Sequence, residues 1–194
     1  YHESKQVDDA PVVAEMKKNL VDKKVLLVAP GKSIVENKEK IEALVASEDV
    51  VSFGLNLTEK INVNYLLATR KDVYETAVND GKNVITTSNV SKGGRGNVKV
   101  LNYKNWIEIS DGCTHDSSSV IVFNLLKECG VKEILLAGFD GFMVNINENY
   151  SDPNLRHPVS VEQVERRNAY YKQFIANVAT SGVNIKFITP SKYE

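Results

Sequence analysis

The residues of this chain that could do chemistry fall where apolar runs give way to polar turns. The run Lys24-Val25-Leu26-Leu27-Val28-Ala29 ends in Pro30-Gly31-Lys32-Ser33. Glycine lets the backbone approach a ligand closely, and N–H groups at the start of a helix favour an anion. Gly31, Lys32 and Ser33 are therefore candidate ligand-binding residues, and Ser33 suits the N-cap of the helix that follows. The spacing of neither the Walker A loop nor the three-glycine dinucleotide fingerprint is present. A plain tight turn with a serine cap accounts for the same residues.

Other candidates follow the same logic. Asn56, after Gly54-Leu55, carries an amide that suits a base or a sugar, or an ordinary turn. Arg70, after Thr69, has the forked donors that clamp a phosphate, or that cap a surface loop. The stretch Asp111-Gly112-Cys113-Thr114-His115-Asp116-Ser117-Ser118-Ser119 is dense in polar groups ahead of an apolar helix. Thr114, His115 and Ser117 are candidates there, His115 as an acid or base, with helix capping as the blander role. Cys113 lies near His115, but closeness in sequence does not make two side chains face each other. Asp140, in Gly138-Phe139-Asp140-Gly141-Phe142, offers a carboxylate for a divalent metal or a ligand hydroxyl, or for backbone N–H groups of a tight turn. His157 sits in a polar segment that can carry an acid or base over a bound ligand, or stands as an exposed loop histidine. Asp140 and His157 are the catalytic candidates, and no set of residues reads as a protein metal site.

The elements that must position these groups alternate. The run Lys24–Ala29 lacks alternation, as a strand covered on both faces does, and Lys132–Gly138 reads as another buried strand. Val50–Gly54, Val63–Ala68, Val84–Thr87, Val98–Leu101 and Asn184–Thr189 read as further strands. Helical patterns lie between them. One follows Ser33 with Ile34, Ile41, Leu44 and Val45 on one face. Others cover Lys71–Val78, Ser117–Cys129, closed by Gly130, and Val161–Thr180, with Val164, Tyr171, Ile175 and Val178 on one face. This grammar predicts an α/β, Rossmann-like three-layer sandwich with a mainly parallel sheet. Ligands of such sheets bind beyond the carboxyl ends of the strands, where every candidate above falls. Residues 1–22 read as a linker arm and a lead-in helix from Pro11 to Val21, and 23–194 as the domain. The segment Phe139–Val159 is irregular, polar and longer than an ordinary loop.

Composition narrows the classes. The chain has 194 residues, 42% hydrophobic and 25% charged, with a formal net charge of −1. That balance gives no general attraction to nucleic acid or an acidic membrane, and no apolar run reaches spanning length. The two cysteines, Cys113 and Cys129, each sit in or beside a predicted helix, so a reducing, cytoplasmic setting is expected. The first residue is Tyr1, which suggests a piece of a longer protein.

The segments VLLVAPGKSI, VSFGLNL, DGCTHDSSSVIVFNLLKECGVKEILLAGFDGF and RHPVS, in that order, resemble a Rossmann-like superfamily. It contains bacterial sialyltransferases that use a CMP-sugar donor and 6-hydroxymethylpterin diphosphokinase-like proteins. The resemblance implies nucleotide or nucleotide-sugar binding at Gly31, Ser33 and Asn56, the Gly-x-Asp role for Asp140, and a catalytic role for His157. No cofactor is fixed by the sequence, and a divalent metal accompanying a nucleotide is the candidate. The family's turn has asparagine where this chain has Pro30, and proline where it has Lys32. A second resemblance is to the C-terminal domain of two-domain bacterial aldolases of the HMG-CoA lyase-like, 4-hydroxy-2-oxovalerate type. There a segment like YHESKQVDD leads from an N-terminal aldolase barrel into KKVLLVAPGKSI. It implies that barrel as the natural partner, and a non-catalytic regulatory or assembly role as the alternative function.

Overall fold

A computed structural model describes residues 6–91, 93–110 and 113–194. Its centre is a seven-stranded sheet. In chain order the strands are β1 (Lys24–Val28), β2 (Val50–Leu55), β3 (Tyr65–Ala68), β4 (Val84–Thr87), β5 (Val98–Leu101), β8 (Glu133–Ala137) and β9 (Asn184–Phe187). Their spatial order is β5-β4-β3-β2-β1-β8-β9, and every pairing is parallel. The central strands β1 and β8 read as unbroken apolar runs because both faces are covered. In β1, Val25 and Leu27 enter one core while Leu26 and Val28 enter the other, all with 0% exposure.

Helices α1 (Ala10–Leu20), α6 (Ser118–Glu128) and α7 (Val161–Thr180) supply the first core, through Met16, Phe123 and Phe174 among others. Helices α2 (Ser33–Glu36), α3 (Lys38–Val45) and α4 (Lys71–Asn79) supply the second, through Ile34, Ile41 and Val73. The chain is thus a Rossmann-like three-layer sandwich. Strands β1 to β5 progress outward in one direction, and the chain then returns to place β8 beside β1. The sheet reverses its winding between β1 and β8, which is where open parallel sheets open a crevice for a ligand.

Three local features depart from expectation. The helix after Ser33 is broken at Asn37, which leaves helical geometry with φ −108° and ψ 18° and whose side-chain amide donates to Ser33 O at 2.9 Å, competing with the backbone for that carbonyl. Side-chain competition of this kind interrupts helices. Helix α2 begins at Ser33 with Lys32 in the N-cap position, so Ser33 is not the cap. Between β5 and α6 lie a short helix α5 (Tyr103–Trp106) and a two-stranded antiparallel ribbon, β6 (Glu108–Ser110) and β7 (Cys113–His115). Cys113 therefore stands exposed on a strand rather than beside a helix, while Cys129 is the C-cap of α6. The ribbon lacked a sequence signal because its strands are three residues long and carry no apolar alternation.

The lead-in helix is packed with the rest of the molecule. Met16 and Leu20 are buried in the first core. Just ahead of the helix, the Asp9 carboxylate accepts hydrogen bonds from Asn102 N, from Asn105 Nδ2 at 2.7 Å and from Trp106 Nε1 at 3.0 Å. Residues Tyr1–Lys5 of the arm, Lys92 of the basic glycine loop, and Asp111 and Gly112 lie outside the described residues.

Candidate functional site

A cavity of about 290 Å³ opens at the carboxyl ends of β1, β2, β3 and β8. Of the residues singled out from sequence, it gathers Gly31, Asn56, Arg70, Ser117, Asp140 and His157. Lys32, Ser33, Thr114 and His115 stand outside its lining. Lys32 is exposed and Ser33 lies behind Asp140. Thr114 is exposed on β7, and His115 stacks on Tyr170, with ring centroids 3.8 Å apart and planes 4° from parallel.

The floor is set by two glycines. Gly31 N donates to Gly138 O at 3.1 Å, and Ala29 N to Ala137 O at 2.8 Å, so the chain leaving β1 stays zipped to the chain leaving β8. A β-carbon on Gly31 would lie 2.2 Å from Gly138 O, and one on Gly138 would lie 2.0 Å from Ala29 O. Glycine is required here by the close approach of two backbones. Asp140 then caps α2. One carboxylate oxygen accepts from Ser33 N at 2.8 Å and the other from Ser33 Oγ. The N–H groups of Gly31 and Ser33 are thus already satisfied within the protein.

Asn56 closes the gap between β2 and β3. It adopts a left-handed φ of 46°, a conformation asparagine tolerates better than most residues. Its Oδ1 accepts from Thr69 N at 2.8 Å and Arg70 N at 3.3 Å, and its Nδ2 donates to Thr69 Oγ1 at 2.9 Å. Arg70 holds Asp72 through Nε at 3.1 Å and a terminal nitrogen at 2.7 Å. The hydrogen-bonded Arg70 guanidinium keeps the Asp72 carboxyl below its ordinary range, and the pair raises Arg70 in turn. Ser117 is the N-cap of α6, accepting from Val120 N at 3.3 Å and from the Tyr171 hydroxyl at 2.6 Å.

His157 has both ring nitrogens engaged. Nδ1 faces Leu155 O at 3.2 Å, and Nε2 faces Arg167 Nη1 at 3.2 Å. A guanidinium can only donate, so Nε2 accepts and the ring proton sits on Nδ1. The Arg167 guanidinium carbon also lies 5.2 Å from the Phe142 ring centroid, within the range of a cation–π contact.

The segment from Phe139 to Val159 holds two single-turn 3₁₀ helices, Ile146–Glu148 and Pro153–Leu155, and is otherwise ordered by side-chain clips. Asn168, from α7, accepts from Phe142 N at 2.8 Å and donates to Phe142 O at 2.9 Å. Asn149 does the same to Met143, at 2.6 and 2.8 Å. Ser151 N reaches across to Pro30 O at 3.0 Å, tying the segment to the β1 turn.

Sequence reasoning missed the wall opposite the turns. It is aromatic: Phe142, Tyr150, Tyr171 and Tyr193 line the cavity. Burial pushes the phenols of Tyr150, Tyr171 and Tyr193 above their ordinary range, so all three are neutral donors at pH 7. The Tyr150 hydroxyl feels the positive charge of both Arg167 and Arg70. A signal for this wall did exist. Arg167 and Asn168 lie four and three residues before Tyr171, on the face of α7 that otherwise reads as apolar, and polar residues there have to meet something.

Among the described residues, no three His, Cys, Asp or Glu side chains converge into a metal-binding group. No helix among them is long and apolar enough to cross a membrane. No family model, curated protein or solved structure matches this chain.

Proposed function

We propose that this domain binds a small anionic ligand of the nucleotide or nucleotide-sugar class in the cavity at the winding reversal of its sheet. The observation that carries this reading is the composition of that one cavity. The aromatic residues Phe142, Tyr150 and Tyr171 share the cavity with Asn56 and Arg70, and the amino end of α6 supplies Ser117, Ser118 and Ser119. A flat heterocycle suits the aromatic side, and an anion suits an arginine fork and a helix amino end. A volume of about 290 Å³ suits a mononucleotide-sized ligand at the small end of ordinary pockets. Calorimetric titration with nucleoside monophosphates, nucleoside diphosphates and nucleotide-sugars, with and without magnesium, tests the reading. Micromolar to millimolar binding that Arg70→Ala weakens tenfold or so, about 1.4 kcal/mol, is expected. Absence of binding by the whole panel rejects it.

One observation favours a second reading. Both oxygens of Asp140 contact Ser33, and both nitrogens of His157 have partners. Such a site binds without reacting, as a regulatory or assembly domain attached to an aldolase barrel would. The discriminating variant is His157→Ala in the protein carrying both domains. Group transfer by this domain requires His157, whereas an accessory role leaves turnover unchanged and loses it only when the whole domain is deleted.

A further inference from the structure

We infer that Arg167 is an anion-responsive cover on His157, so that ligand entry exposes the imidazole nitrogen a general base would use. This inference rests on the reading that the cavity takes an anionic ligand. Three contacts motivate it. His157 lines the cavity with an exposed ring, yet its only unprotonated nitrogen, Nε2, is occupied by Arg167 Nη1 at 3.2 Å. Among the described residues, the other group that holds the Arg167 guanidinium is the Phe142 ring face, 5.2 Å away. Arg167 does not itself line the cavity, but its positive charge acts, with that of Arg70, on the hydroxyl of Tyr150, which does.

The holding contacts of Arg167 are weak ones for a guanidinium. A neutral imidazole offers a single acceptor, and an aromatic face offers a diffuse one. A phosphate or carboxylate offers two charged oxygens to the planar fork, with bonds roughly twice as strong as neutral ones. An anion lodged near Tyr150 therefore competes for Arg167 on favourable terms. A fork turned squarely to that anion leaves His157 Nε2. The other nitrogen keeps its proton on Leu155 O at 3.2 Å, so the ring stays aimed while its lone pair becomes free. Arg167 acts here as a positioning residue, on a part of α7 that is well anchored. One residue along, Asn168 clips the backbone of Phe142, and four along, Tyr171 holds Ser117 at the cavity edge.

Diethyl pyrocarbonate acylates unprotonated imidazole nitrogen, and peptide mass spectrometry reads its rate at each histidine separately. The proposal expects slow modification of His157 in the native protein and several-fold faster modification in Arg167→Met. Arg167→Lys, which keeps the charge without the fork, should lie between them and guards against misfolding of the first variant. Saturating inorganic pyrophosphate should accelerate His157 in the native protein and have no effect in Arg167→Met. His115, stacked on Tyr170 of the same helix, should keep its rate throughout. Equal rates for His157 in the native protein and both variants overturn the cover. So does an acceleration that His115 shares, since that reports a loosened helix. Calorimetric binding of pyrophosphate that leaves His157 unchanged, or slows it, overturns the gate while the binding reading stands. If neither pyrophosphate nor any nucleotide binds, the binding reading falls and takes the gate with it.

Discussion

Replacing Gly138 by alanine tests whether the zipped floor of the cavity is what fixes the two strand ends. Gly138 has φ 73°, and an added β-carbon would sit 2.0 Å from Ala29 O and 2.7 Å from Ile34 Cγ2. Two costs follow. A left-handed alanine costs about 1–2 kcal/mol. Forcing a methyl group into packed backbone adds about 1–3 kcal/mol. Together they come to about 2–5 kcal/mol, a large part of the roughly 5–15 kcal/mol that holds a domain folded. At this size that is a fall in Tm of about 4–20 °C. The control is Gly130→Ala. Gly130 has nearly the same φ, 74°, but nothing lies within 4 Å of its added β-carbon. It bears the first cost without the second. Urea unfolding and calorimetry of the two variants isolate the steric part by difference. A Gly138→Ala variant no less stable than Gly130→Ala refutes the claim that these backbones touch.

Two further outcomes follow from individual contacts. Asp9→Ala strands donors on the buried residues Asn102 and Trp106, and should cost about 2–4 kcal/mol. The single tryptophan reports the loss directly in a urea titration followed by fluorescence, and an unchanged midpoint would mean that Asp9 does not pin the lead-in helix. Burial pushes the Cys129 thiol up to about 11, whereas Cys113 is exposed. Only the thiolate alkylates, and on the order of one Cys129 in a thousand is ionised at pH 8. Native protein should take up one iodoacetamide label at pH 8, on Cys113, and two in denaturant. The same shift has a sign for stability. The unfolded thiol ionises first, so stability falls as pH rises from about 9 towards 11. Equal native labelling of both cysteines would remove the basis for this.

The centre of the sheet was legible because burial on both faces writes itself as unbroken apolar runs, as in β1 and β8. Strands β4 and β5 match their expected bounds residue for residue, and α7 matches its period from Val161 to Thr180. The turns that follow those runs were legible for the same reason, and six of the ten residues picked from them meet in one cavity. The rest depended on contacts between distant segments. His115 lies two residues before the cavity edge at Ser117, but it is drawn to Tyr170 by ring stacking that no local pattern announces. Half of the aromatic wall, Phe142 and Tyr150, comes from an irregular segment whose shape comes from Asn149 and Asn168, two side chains standing in for a strand partner. A residue acting as a backbone clip has no period and no motif, so composition alone reads it as loop.

The glycine turn itself shows why motif and function separate in this fold. Free N–H groups after a first strand invite an anion, and Pro30-Gly31-Lys32-Ser33 has the right place for that. Here Gly138 O and the Asp140 carboxylate take two of those donors, so the turn is anchored to β8 instead of being held open. An anchored turn makes a rigid floor and contributes shape more than charge. If the cavity takes an anion as proposed, charge recognition then has to come from groups whose partners are weaker or more exposed. Arg70 meets that condition through an ion pair whose two side chains are 42% and 62% exposed, and an exposed pair is worth at most about 1 kcal/mol. Arg167 meets it through a neutral imidazole and a ring face. A cavity arranged this way is rigid beneath the ligand and yielding beside it. Substitution at Gly31 or Gly138 should therefore cost stability first, and substitution at Arg70 or Arg167 should cost affinity with the fold intact.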